Sequence, residues 1–262
     1  MKLLRCLFLS LALSSPWASS ANTLLTDLSD LWWNPNESGW GVTVTHQGNV
    51  AFLTFFIFGQ DGKSTWYTGQ AVYGGKNAQG AYQFSGPVYQ VNGPWFGGTF
   101  VHAQVGARAV GTVDFTAFLN TATLHYTIDG TEVTKTVSRQ TFRTFELTGE
   151  YLGAMKSTQS LCFSPAVSGD FNDPVEFTVA QTADTFFMRV VYGGNRGFCT
   201  FNGNYLQTGR FGNSTGTFMC TGGVTGSYEI AEIAANVQGF TGRYTSFDNF
   251  CQSTGRFAAM KK

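Results

Sequence analysis

The sequence predicts an all-β protein made of two antiparallel meander units in series, each barrel-like or sandwich-like. Three observations carry that prediction. Aromatic residues make up 16% of the chain and charged residues 12%, with 32 glycines and 25 phenylalanines. This composition suits pleated, half-buried strands and not a disordered chain. Turn signals recur at short, regular spacing between apolar runs. Finally, Cys162, Cys199, Cys220 and Cys251 all lie after residue 160, which marks off a second unit from a cysteine-free first one.

The chain opens Met1-Lys2-Leu3-Leu4-Arg5, continues with an apolar run from Cys6 to Leu13, and then has small residues around Ser14–Ala21. These are the three regions of a secretory signal peptide, so residues 1–21 are expected to be a cleaved leader. The apolar run is too short to span a bilayer as a helix, and no later run is long enough either. An exported protein with no transmembrane helix follows, in the periplasm or outside the cell. The leader holds Lys2 and Arg5 and no acid, so its loss turns an even balance of 16 basic and 16 acidic residues slightly acidic. That balance argues against a nucleic-acid partner, which needs a basic face.

The first unit, within residues 22–146, reads strand by strand. Gly41–Gln47 runs into a tight turn at Gly48-Asn49, and Val50–Phe58 follows, ending near Asp61-Gly62. Asp-Gly between apolar runs is a strong hairpin signal. Lys63–Tyr73, Ala81–Val91, Thr99–Gln104, Ala109–Leu119 and Thr123–Ile128 come next, then a second Asp-Gly at Asp129-Gly130 and the strand Glu132–Phe142. About eight strands in sequential order suggest an up-and-down barrel, in the manner of lipocalins and avidins by architecture alone. Val50–Phe58 is apolar on both faces, so it is expected to be covered on both, with the second unit as one candidate cover. In Thr123–Ile128 the alternation is clean, with Leu124, Tyr126 and Ile128 on one face.

The second unit, residues 147–262, repeats the style. Its strands are expected at Cys162–Val167, Val175–Ala180, Thr185–Tyr192, Phe198–Leu206, Thr215–Cys220, Gly226–Ile233, Gly239–Thr245 and Gly255–Ala259. Val72-Tyr73-Gly74-Gly75 and Val191-Tyr192-Gly193-Gly194 match, which admits a duplication or chance in a Gly/Tyr-rich chain. Four cysteines in an oxidising compartment imply two disulfides. Of three possible pairings, Cys199–Cys220 with Cys162–Cys251 is favoured: the first bridges neighbouring strands and the second ties the ends of the unit. Loops of these sizes stabilise by about 3–5 kcal/mol per bridge.

The stretch Trp32-Trp33-Asn34-Pro35-Asn36-Glu37-Ser38-Gly39-Trp40-Gly41 is the densest in the chain for chemistry. With His46-Gln47-Gly48, the aromatic strand, Asp61-Gly62 and Trp66-Tyr67, it resembles a family of exported bacterial proteins that open W-W-N-P-x-E-S-G-W-G and continue to a hairpin ending in W-Y. The likeness spans Trp32–Tyr67, has one departure at Ser64-Thr65, where a proline is expected, and implies no activity. Read physically, the stretch has two uses. Trp32, Trp33 and Trp40 can plug the domain while Glu37 and Ser38 cap a turn. Alternatively, Trp32, Trp33 and Trp40 form the wall of a ligand site, with Asn34, Glu37 and Ser38 as its few polar groups, and Trp95 in the loop Asn92–Gly98 as a second aromatic contact.

Catalysis finds no local signature. Ser38, His46 and Asp61 make a triad on paper without a nucleophile elbow. Glu37, Asp114 and Glu132 are carboxylates on separate segments, and His46, His102 and His125 have no metal-ligand spacing. No catalytic residue, metal or cofactor is therefore assigned, and the sequons at Asn36 and Asn213 are incidental. The expectation is an exported, non-catalytic binding protein for a small apolar or sugar-like ligand held at a Trp-rich loop or barrel mouth. A structural or protein-interaction component of the envelope and an unrecognised hydrolase are the alternatives; the oligomeric state is open.

Overall fold

The computed structural model describes residues 25–164 and 168–262. The leader expected at residues 1–21 lies outside the described residues. The chain forms two closed eight-stranded antiparallel barrels. The first contains β1 (Asp30–Trp33), β2 (Gly41–Gln47), β3 (Val50–Phe58), β4 (Ser64–Lys76), β5 (Tyr82–Asn92), β6 (Gly106–Phe118), β7 (Thr121–Ile128) and β8 (Thr131–Arg139). The second contains β9 (Gly149–Ser160), β10 (Gly169–Gln181), β11 (Thr185–Tyr192), β12 (Phe198–Thr208), β13 (Phe211–Cys220), β14 (Thr225–Asn236), β15 (Gly239–Asp248) and β16 (Gln252–Lys261). Each strand pairs with its sequence neighbours. β1 closes the first barrel on β8 through Trp32↔Arg139, and β16 closes the second on β9 through Phe257↔Met155. Closure pairs every strand on both sides and leaves no open sheet edge in either barrel.

Period-two alternation decides which side chains fill each interior. Ala51, Leu53 and Phe55 of β3 point inward beside Phe84, Phe115 and Leu124 in the first core, and Phe177, Met188, Ile230, Phe240 and Phe257 fill the second. Turn chemistry does the rest. Asp129 and Gly130 have φ of 46° and 83°, the paired positive values that a two-residue hairpin turn requires.

Three strand expectations need correction. Thr99–Gln104 is not a strand; it lies in the long β5–β6 connection, which holds one 3-10 turn at His102–Gln104. Its apolar residues do not alternate, and closure leaves it no partner. The eighth strand is instead β1, drawn from the tryptophan motif itself. In the second barrel the first strand is β9, Gly149–Ser160, not Cys162–Val167: Cys162–Ser164 belong to the β9–β10 connection, and residues 165–167 lie outside the described ones. Tyr151, Met155 and Ser157 carry the inward phase of β9, masked in sequence by Gly153 and Lys156. The third correction is β3, whose outer face is uncovered: Val50, Phe52, Phe56 and Phe58 are exposed.

The barrels meet end to end. The β2–β3, β4–β5 and β6–β7 turns share one end of the first barrel with residues 25–29 and the end of β8, and this end faces the second barrel. Thr26 Oγ1 donates to Glu232 Oε1 at 2.5 Å, Arg210 pairs with Asp27, and the Arg210 N–H donates to Asp30 Oδ2 at 3.2 Å. Gly209 sits in this joint with φ +62°; a Cβ there would stand 2.4 Å from Asp30 Oδ2 and 2.6 Å from Arg139 Cβ, so only glycine fits. Disulfides Cys162–Cys251 and Cys199–Cys220 bind the remote end of the second barrel, the latter joining directly opposed residues of β12 and β13.

Candidate functional site

The tryptophan motif divides its residues between the core and the opposite, free end of the first barrel. Trp32 takes the inward phase of β1 and is fully buried. Its indole N–H donates to the Leu28 carbonyl at 3.0 Å, its ring meets Phe115 edge-on at 5.3 Å, and the Arg139 guanidinium lies 4.6 Å from its centre. Trp32 is core and contributes no ligand surface. Trp33, one residue on, takes the other phase and is half-buried.

The next residues turn the chain. Asn34 accepts from the Glu37 N–H through its carbonyl and from the Asn36 N–H through its side chain, both at 3.0 Å. Asn34 therefore shapes the turn, and Ser38 is exposed on it. Gly39, at φ +104°, redirects the chain into β2. Trp40 then arrives on the inward phase at the barrel's free end.

Trp40 is fixed there by Glu37. The indole N–H donates to Glu37 Oε2 at 3.0 Å, and Lys135 Nζ donates to the same oxygen at 2.7 Å. Lys135 Nζ also stands 5.7 Å from the Trp40 ring centre, within reach of its negative face. The hydrogen bond from Lys135 holds the Glu37 carboxyl below its usual pKa range, so the carboxylate is charged at neutral pH. Around this trio opens a cavity of about 830 Å³ at the barrel mouth, with Trp40, Ile57, Phe58, Tyr67, Tyr126 and Val133 among its walls. Burial, aided by Glu37, pushes the Tyr126 phenol up, so it stays neutral and offers an O–H.

Of the expected ligand contacts, Glu37 and Trp40 come together at this mouth. Trp95 does not line it; it lies in the β5–β6 connection at the same end, 71% exposed. Lys135, Tyr67 and Tyr126 complete the site and were not among the expected ligand contacts. A signal existed for Lys135: it holds the inward phase of β8 with Val133, Val137 and Arg139, where a cation is out of place unless paired.

The paper triad is dispersed. Ser38 and Asp61 belong to the free end, whereas His46 is at the joint end, with its ring against Phe84 and its Nδ1 accepting from the Leu28 N–H at 3.3 Å. His125 lies on the outer barrel face between Asp114 and Glu132. Among the described residues no group of three or more His, Cys, Asp or Glu side chains is arranged to hold a metal ion.

No family model and no curated protein matches the chain. Two solved structures are similar to it in outline. One, a provisionally assigned outer membrane protein from Bacteroides fragilis, is 12% identical with a TM-score of 0.33, covering 82% of this chain and 89% of that one. The other, a protein of unknown function from the DUF3598 family of Nostoc punctiforme, is 8% identical with a TM-score of 0.24, covering 90% and 96%. At these scores neither likeness bears on function.

Proposed function

We propose that this is an exported binding protein that holds a small, ring-shaped or apolar ligand in the mouth of its first barrel. The observation that carries the reading is the cavity of about 830 Å³ whose aromatic walls surround a single fixed ion pair, Glu37–Lys135. Ligand sites combine mostly apolar walls with a few polar groups of set orientation. Here Trp40 and Tyr67 offer ring surface for stacking on a sugar or aromatic face. The Tyr126 hydroxyl and the spare valences of Lys135 and Glu37 supply the directional bonds. Tyr67, Tyr126 and Lys135 are fixed on strands of a closed barrel, and Glu37 is tied to Trp40 and Lys135 by hydrogen bonds, so little ordering entropy opposes binding. Export fits the two disulfides, which persist in oxidising compartments.

The test is native mass spectrometry of the protein, followed by titration with the uncharged probe N-phenyl-1-naphthylamine. The expected result is a discrete added mass lost on denaturation, or saturable probe fluorescence, that Trp40→Ala weakens about tenfold or more while the thermal midpoint holds. A bare mass together with no saturable probe signal would sink the reading.

A further inference from the structure

The free end of the first barrel carries a second feature that the mouth does not use. The connection between β5 and β6 projects Phe96 at 97% exposure, Trp95 at 71% and Phe100 at 68%. Beside it, on the outer faces of β3 and β4, Phe56 and Trp66 stand as direct cross-strand partners, both exposed. Isolated exposed apolar residues need no explanation, but a set of large aromatics gathered at one pole does.

The loop is built, not loose. Trp95 and Phe96 pack with ring centres 5.7 Å apart, the Gly98 N–H donates to the Trp95 carbonyl at 3.1 Å, and a Cβ on Gly97 would strike the Trp95 ring at 2.4 Å. The glycine thus lets the indole lie over its own backbone, while Phe96 points outward.

Charge identifies the occupant. Between Lys76 and Arg108 the sequence has no Asp, Glu, Lys or Arg. The cations nearest the pole are each neutralised: Arg108 by Asp129 at 2.6 Å, Lys63 by Asp61 at 3.4 Å and Lys135 by Glu37 at 2.7 Å. A loop free of Asp, Glu, Lys and Arg that projects Trp and Phe matches the interface of an uncharged lipid bilayer, where aromatic side chains partition at headgroup depth. An anionic surface would call for free lysines and arginines. The second barrel joins the opposite end, so it leaves this pole free to approach a flat surface.

We propose that the protein docks peripherally on zwitterionic membrane surfaces through Trp95, Phe96 and Phe100, with Phe56 and Trp66 as the flank. The experiment is flotation of the protein with phosphatidylcholine vesicles, repeated with vesicles containing brominated acyl chains. The wild type is expected to float, to keep floating as salt is raised, and to lose tryptophan fluorescence to the bromines. The triple variant Trp95→Ser/Phe96→Ser/Phe100→Ser, whose altered side chains lie outside both cores, is expected to float about tenfold less with an unchanged thermal midpoint. Three results would overturn the proposal: wild type that stays unbound, binding that needs anionic lipid and vanishes with salt, or binding that survives the triple substitution. Self-association abolished by the same substitutions, without flotation, would assign the pole to a second copy of the chain instead.

Discussion

His125 shows how a single side chain reads out the closed geometry. It lies on the outer face of β7, with Nε2 2.9 Å from Glu132 Oε1 on β8 and Nδ1 3.3 Å from Asp114 Oδ2 on β6. Ser85 on β5 donates to Asp114 Oδ1 at 2.6 Å and extends the row to a fourth strand. The hydrogen bond to Glu132, then that to Asp114, favours the imidazolium and raises the histidine pKa. With the folded value above an unfolded one of about 6.5, the row stabilises the barrel fully below that pH. The contribution fades as pH rises through the folded pKa. An NMR titration should place His125 above the ordinary histidine range, and Glu132→Gln should move it down; an unmoved value would mean the contact does not persist in solution. None of this was visible in sequence, where Asp114, His125 and Glu132 are separate residues. Only strand register aligns them.

At the scale of elements, three strands were legible to the residue. Gly41–Gln47, Val50–Phe58 and Thr185–Tyr192 have the predicted bounds. The two that were misplaced share a cause. β1 is four residues long inside a motif rich in Trp, Asn and Pro, and β9 carries Gly153 and Lys156 in its span. β1 is too short and β9 too interrupted to read locally as strands; each becomes one by pairing on both sides within a closed barrel. The reverse holds for Thr99–Gln104, whose β-prone residues have no partner left. The cysteines were legible by compartment and spacing. Cys199–Cys220 closes a separation of 21 residues at the β12–β13 pair. Replacing both residues by serine should lower stability by about 3 kcal/mol in urea unfolding. A loss near zero would place the restraint elsewhere.

At the scale of the molecule, Arg139 is the post on which the two barrels turn. Its side chain is 0% exposed. It donates to the carbonyls of Leu119 at 2.8 Å, Asp27 at 2.8 Å and Ser29 at 3.4 Å, and to Asp30 Oδ2 at 3.2 Å. Its guanidinium lies between Trp32 of the first barrel and Phe211 of the second, 4.6 and 5.1 Å from the ring centres. Burial lowers its pKa and Asp30 opposes the shift, leaving a guanidinium that stays charged. Asp30 also receives the Arg210 N–H, so the same pair holds the joint. Arg139→Ala strands these acceptors and should cost about 3–5 kcal/mol. In calorimetry it should separate a joint transition into two, first barrel melting earlier. One undivided transition at the wild-type midpoint would show that the joint does not depend on this residue.

The sequence by itself determined the fold class, the division into two units, the position of most strands and the sites of covalent cross-linking. Alternation, turn residues and cysteine spacing are local quantities, and local physics reads them. Tertiary structure alone decided which tryptophan is core and which faces the mouth, that Lys135 fixes Glu37, that β3 keeps an apolar outer face, and that Arg139 spans two domains. Those outcomes depend on which residues a closed barrel brings opposite one another. Register across non-adjacent segments is set by closure and packing of the whole, which no single stretch of chain encodes.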